Sequence, residues 1–124
     1  NPLTSEITSR RYGLRAGQKL QTAAEFDRAR KGRERHADAL FNVQCVDNDI
    51  RQARLGMAVG MRAAGNAVNR NRLRRVIRES FRMHRQEMPA VDLLVTARAA
   101  AAAAPNRELF ASLAGLWREI GSRG

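Results

Sequence analysis

Residues 65–82 read GNAVNRNRLRRVIRESFR, and Met83, His84 and Arg85 prolong the pattern. From Asn66 to Arg85 the chain carries seven arginines against one glutamate, Glu79. At ~100° of rotation per residue, Leu73, Val76, Ile77 and Phe81 share an arc of about 140°, while Arg74, Arg75, Arg78, Arg82 and Arg85 fill the adjoining arc of about 100°. The spacing predicts an amphipathic helix that starts at Gly65 and Asn66 and is stopped by Pro89. One flank faces a core and the other is cationic. Like charges on neighbouring turns repel, so five arginines relieved by Glu79 alone cost the isolated helix on the order of 1 kcal/mol. An anionic partner would offset that cost. Arginine in place of lysine sharpens the point, because a planar guanidinium grips phosphate through two donors and stacks on bases.

Outward from this helix the chain alternates short elements. Towards the N-terminus, residues 22–31 form a short helix: Thr22 is a capping residue, Glu25 stands three positions on as in a capping box, Phe26 is the apolar anchor and Gly32 closes it. Arg28, Arg30, Lys31, Arg33 and Arg35 make its end a second basic patch. Residues 39–46, ALFNVQCV, alternate as a strand with Phe41, Val43 and Cys45 on one face. The polar DNDIRQ turns the chain into a second strand, ARLGMAVGM, ending near Gly60. Beyond the arginine helix, VDLLVTAR at residues 91–98 suits a buried central strand. The alanine-rich residues 99–105 read as a connector with partial helical character, ended by Pro105. Asn106 caps a final helix whose Leu109, Leu113, Leu116, Trp117 and Ile120 form a packing stripe. Residues 1–15 read as a flexible basic lead-in.

The 124 residues suit a single domain. Helices and strands in this order indicate an α+β fold, a small α/β sandwich with a central sheet of about four strands and three helices. Lys and Arg total 23 against 12 Asp and Glu, a formal charge of +11 that favours phosphate polymers over most small substrates. Lysine occurs only at positions 19 and 31, so the charge is overwhelmingly guanidinium. No apolar run reaches the ~18 to 20 residues a membrane span requires. The N-terminus lacks the apolar segment of a secretory signal. A lone Cys45 forms no internal disulfide. The expectation is a cytoplasmic protein with Cys45 as a small core residue.

Catalytic chemistry is not evident. With His36, His84 and Cys45 as the whole soft-ligand set, no zinc spacing emerges along the chain, and no metal site is expected in the protein. His84 reads as packed or hydrogen bonded. Asp47 and Asp49 lie in a turn and offer too few oxygens for a fixed cation. No glycine-rich phosphate loop and no nucleophile with a histidine base can be read.

The run Arg70-Asn71-Arg72, Arg74-Arg75, Arg78-Glu79 and Phe81-Arg82 resembles the signature of the protein subunit of bacterial ribonuclease P. LQTAAEFDRARKG, RLGMAVG, VDLLVTAR and ELFASLAGLWREI resemble its flanking elements, so the likeness spans most of the chain. The resemblance implies an α/β sandwich with a left-handed strand, helix, strand crossover, in place of the right-handed connection expected by default. It implies an accessory subunit of an endoribonuclease that removes the 5′ leader of precursor tRNA, with catalysis and Mg2+ residing mainly in an RNA subunit. The polypeptide itself would be monomeric when alone. Position by position, it assigns Arg62, Asn66, Arg70, Asn71, Arg72, Arg74, Arg75, Arg78 and Arg82 to the catalytic RNA. Phe26, Arg30, Phe41 and Val43 are assigned to a cleft for the single-stranded leader, where cations and stacking platforms act together. Three positions depart from the pattern: Arg30 and Val43 replace frequent aromatics, and Met61-Arg62 replaces a basic pair. The competing reading is a structural protein of the ribosome or another RNA-binding protein, which would share the size and charge.

Overall fold

The apolar stripes of the sequence are buried against one another in the computed structural model, which describes residues 16–122. The lead-in expected at residues 1–15 lies outside the described residues. In chain order the elements are helix α1 (Ala23–Arg30), strands β1 (Glu34–Ala37), β2 (Phe41–Asp47) and β3 (Arg54–Ala58), helices α2 (Met61–Ala64) and α3 (Ala67–His84), strand β4 (Val91–Ala97) and helix α4 (Asn106–Gly121). Single 3-10 turns occupy Ala16–Gln18, Arg85–Glu87 and Ala99–Ala103. The strands lie in the order β1-β2-β4-β3. β2 is antiparallel to β1 and to β4, whereas β3 runs parallel to β4. The chain therefore passes from β3 through the arginine helix α3 to β4 as a parallel strand, helix, strand unit.

The two faces of the sheet are covered unequally. Phe41, Val43 and Cys45 of β2 and Val91, Leu93 and Val95 of β4 point into the main core, with Leu73, Val76, Ile77 and Phe81 of α3 and Leu109, Leu113, Leu116, Trp117 and Ile120 of α4. Trp117 packs edge-on against Phe81 with ring centroids 5.9 Å apart, and its indole N–H donates to Ser80 Oγ at 2.8 Å. The buried hydroxyl thus satisfies the one polar atom of the largest core side chain. On the other face, α1 covers a smaller cluster of Leu20, Ala29 and Leu94 with Phe26, Val46 and Ala58 against it.

Helix α1 is closed by the capping box expected of it: Glu25 N–H donates to Thr22 Oγ1 at 3.1 Å, and Glu25 Oε1 accepts from the Thr22 and Gln21 N–H groups at 3.1 and 2.7 Å. Two elements depart from the sequence reading. β1 occupies residues read as part of the basic patch after α1, because ERHA is a four-residue edge strand with no apolar alternation. Among the described residues there are four α-helices in place of three, because MRAA makes one turn between Gly60 and Gly65, and Gly65 adopts φ +90, a left-handed conformation that costs glycine little. The alanine-rich connector is the 3-10 turn Ala99–Ala103.

What fastens α1 to the sheet is ionic. Asp92 of β4 is fully buried on the α1 face. Its carboxylate accepts from Arg54 Nε and a terminal Arg54 nitrogen at 2.8 Å each, from Arg28 at 2.9 Å and from Asn48 Nδ2 at 2.9 Å. Arg54 also reaches Glu25 of the capping box at 2.8 Å. Burial alone would raise the Asp92 pKa, but the hydrogen bonds from Arg54, Asn48 and Arg28 outweigh it and hold the carboxyl below its ordinary 3.8. Removing one partner of such a cluster leaves buried charge uncompensated, so Asp92→Asn should lower the unfolding free energy by about 3 to 5 kcal/mol in denaturant titrations. Because the folded value lies below the unfolded one, the ionic contribution is present above the unfolded pKa and is lost as pH falls through the folded value. The wild-type midpoint should therefore drop on acidification below that range, and the variant should show a flatter dependence.

Candidate nucleic-acid interface

Asn66 caps α3 by accepting the Asn69 N–H at 2.7 Å, and helical periodicity then sorts the arginines into two groups. One group is spent inside the protein. Arg72 donates from Nε to Asn69 Oδ1 at 2.7 Å, and its terminal nitrogens donate to Asn106 Oδ1 at 2.7 Å and to the Ala104 and Ala102 carbonyls at 3.1 Å each. Asn69 Nδ2 in turn donates to the Ala64 and Ala102 carbonyls at 2.8 and 3.0 Å. Together they clamp the start of α3 to α2 and to the alanine-rich turn, satisfying carbonyls that a 3-10 turn leaves open. Arg70 is divided: its Nε donates to the Val59 carbonyl at 2.7 Å.

The second group faces outward. Arg74 and Arg78 line a recess of about 150 Å³ together with Lys19, Leu20, Phe26, Leu55, Gly56 and Met57. Burial lowers the pKa of Arg74, and the neighbouring charges of Arg78 and Arg70 lower it further. Arg78 Nε is buried with no hydrogen-bond partner. Such a donor wants an acceptor from elsewhere. Among the described residues none of Arg62, Arg70, Arg74, Arg75 and Arg78 forms an ion pair, whereas Arg82 is paired with Glu79, which raises its pKa. Arg75, Asn71 and Val68 line a second recess of about 340 Å³ with Arg72, Val76 and Asn106. Arg62 is exposed on α2.

The cleft residues do not all meet. Phe26 is on the α1 face and reaches the Arg74 and Arg78 recess, so the two surfaces read separately in the sequence join along β3. Gly56 makes this approach possible, since a Cβ there would stand 2.7 Å from both Leu20 Cδ1 and Phe26 Cε1. Arg30 is exposed on α1 and pairs with Asp27 at 2.8 Å. Phe41 and Val43, by contrast, are fully buried on the opposite face beneath α3 and α4. Their assignment to an open cleft is corrected: the side chains of β2 on the α1 face are Asn42, Gln44 and Val46, in the alternate phase of the strand. Gln44 Nε2 donates to the Arg30 carbonyl at 2.8 Å. Arg35 of β1 bonds Asn42. Of the basic patch at the end of α1, Arg28 is drawn inward to Asp92 and the Asp47 carbonyl. His84 donates from Nδ1 to the Ser80 carbonyl at 2.9 Å.

The fold and this row of unpaired guanidinium groups define a small α+β protein of the RNA-binding class. The sequence pattern of the family Ribonuclease P matches residues 14–121. The ribonuclease P protein component of Coxiella burnetii is 34% identical over 108 residues, covering 87% of this chain and 89% of its own length, and that of Halorhodospira halophila is 37% identical over 108 residues, covering 86% and 88%. Among solved structures, a Staphylococcus aureus RNase P protein mutant with defective mRNA degradation activity superposes with a TM-score of 0.79 at 30% identity, covering 96% of each chain. The RNase P protein of Thermotoga maritima superposes at 0.73 with 25% identity, over 82% of this chain and 96% of its own. The chain belongs to the ribonuclease P protein family, the accessory protein subunits of a tRNA-processing endoribonuclease.

The two groups of arginines predict different phenotypes. Arg72→Ala should cost about 2 kcal/mol or more of stability, since charge-assisted hydrogen bonds contribute roughly 1.5 to 3 kcal/mol each and do not simply add. Arg75→Ala should leave the unfolding free energy within about 0.5 kcal/mol of wild type and flatten the slope of log affinity for RNA against log salt by roughly 0.7 to 0.9. Melting curves beside a salt series read both.

Proposed function

We propose that this chain seats on the catalytic RNA subunit of ribonuclease P through Arg62, Arg70, Asn71, Arg74, Arg75 and Arg78, and receives the single-stranded 5′ leader of precursor tRNA along the α1 face. Asn66 and Arg72 act in this reading by shaping the start of α3, and Arg82 lies at the margin of the surface. The observation that carries the proposal is the unpartnered Arg78 Nε beside Arg74 and Phe26: donors and an apolar ring in one recess are what a phosphate and its base require. Phosphate contacts of this kind position an RNA without reading its sequence.

Magnesium belongs to the RNA in this proposal. Mg2+ takes oxygen ligands in octahedral array, and the α3 flank is lined by guanidinium groups, with Glu79 engaged by Arg82. These residues do not fit a bound Mg2+, so the chain's own contribution is to hold and align two RNA molecules, lowering the free ion concentration that folding and cleavage of the RNA require. The proposal includes a monomeric polypeptide outside the complex and a cytoplasmic setting. Among the described residues no helix is long and apolar enough to cross a membrane.

The test is reconstitution of precursor tRNA cleavage with the cognate RNA subunit at low Mg2+. Addition of the chain should restore cleavage there and lower KM for precursors with a leader more than for leaderless ones. Phe26→Ala should raise KM for leader-bearing substrate several-fold while leaving association with the RNA subunit near wild type. Cleavage unchanged by the chain, with no complex formed at moderate salt, would contradict the reading.

A further inference from the structure

Strand β1 brings together three side chains that the sequence keeps apart. Glu34 and His36 stand two residues apart and so project from the same face, and β1 pairs with β2 so that Glu34 is opposite Cys45. The imidazole, carboxylate and thiol ligand atoms all lie within 4.8 Å of one another. His36 Nε2 is 2.7 Å from Glu34 Oε2, and Nδ1 is 3.1 Å from Glu119 Oε1 of α4. Cys45 is buried, while the His36 and Glu34 side chains retain 16% and 25% of their exposure, which leaves a mouth towards solvent.

We infer that Glu34, His36 and Cys45 form a binding site for a borderline-soft divalent transition ion of the Zn2+ class. The donor set is sulfur, imidazole nitrogen and carboxylate oxygen, the combination that suits Zn2+ and excludes Mg2+ and Ca2+. Bonds of about 2.0 to 2.3 Å in tetrahedral array place ligand atoms roughly 3.5 Å apart, so rotamer adjustments on the order of 1 Å convert the trio into three ligands, with water in the fourth position at the open mouth. Binding replaces the thiol proton, which passes to solvent, by the metal. The Glu119 carboxylate on the far imidazole nitrogen fixes the ring with Nε2 directed at the ion, the usual outer partner of a metal-bound histidine. Two carboxylates also make this corner locally anionic in a chain of formal charge +11. The site lies on the α4 side of the sheet, away from the α1 face and its recess, and an ion there would tie the edge strand to β2 without engaging the RNA surface.

Titration of the reduced full-length chain with Co2+ as a spectroscopic probe tests this directly. A thiolate-to-cobalt charge-transfer band with tetrahedral visible bands is expected, displaced by Zn2+ and unaffected by excess Mg2+. Cys45→Ser should abolish the band, His84→Gln should leave it intact, and Glu119→Gln should weaken Zn2+ affinity by about 10- to 100-fold. Circular dichroism confirms that each variant is folded, and the wild-type spectrum stands without any variant. Absence of a thiolate band, or a band that survives Cys45→Ser or disappears in His84→Gln, would overturn the site.

Discussion

A buried carboxylate organises the functional half of this molecule. Asp92 stands in the central strand among apolar neighbours and receives four hydrogen bonds from Arg54, Arg28 and Asn48. Through Arg28 it grips α1, and through Arg54 it reaches Glu25, the residue that closes the α1 cap. The apolar cluster beneath α1 is small, with Leu20, Ala29 and Leu94 as its fully covered members, so hydrophobic burial alone holds that helix less firmly than α3 and α4. The ionic fastening sets where Phe26 sits, and Phe26 in turn forms one wall of the recess whose other wall is Arg74 and Arg78. A charged core group is thus the mechanical link between the sheet and the proposed RNA surface.

The same residue type serves opposite ends within one helix. Arg72 turns its donors to the carbonyls of Ala102 and Ala104 and to Asn106, and no phosphate is needed to satisfy it. Arg74 and Arg78, about half a turn and nearly two turns further on, look outward from the β3 edge, where their neighbours include Lys19 and Phe26. Repulsion among the outward arginines opposes folding of the protein alone, and in the proposed function a bound polyanion would convert that unfavourable term into binding energy. This explains how a chain so rich in guanidinium groups folds with few ion pairs on its most basic helix.

Much of this architecture was legible in the chain. The 18 residues of α3 carry an uninterrupted helical period, and its buried positions Leu73, Val76, Ile77 and Phe81 are those the period marks. The Thr22 and Glu25 cap and the Trp117 stripe of α4 are equally local signals. What could not be read depends on contacts distant in sequence. The alternation of β2 separates Phe41 and Val43 from Asn42 and Gln44, but both faces of the sheet carry helices, and nothing local says which face stays open. Three of the four hydrogen bonds that set Arg72 apart from Arg74 go to partners 30 and more residues away. β1 has four residues and no apolar rhythm, so the strand, and with it the meeting of Glu34, His36 and Cys45, appears only once the sheet is assembled.

The division of the arginines is tested most directly by chemical footprinting with an arginine-specific dicarbonyl reagent, read by mass spectrometry with and without the RNA subunit. Shielding of Arg74, Arg75 and Arg78 on complex formation, with Arg118 on the outer side of α4 as reactive as before, is the predicted result. Equal reactivity of the three in both states, or protection centred on Arg118, would contradict the account.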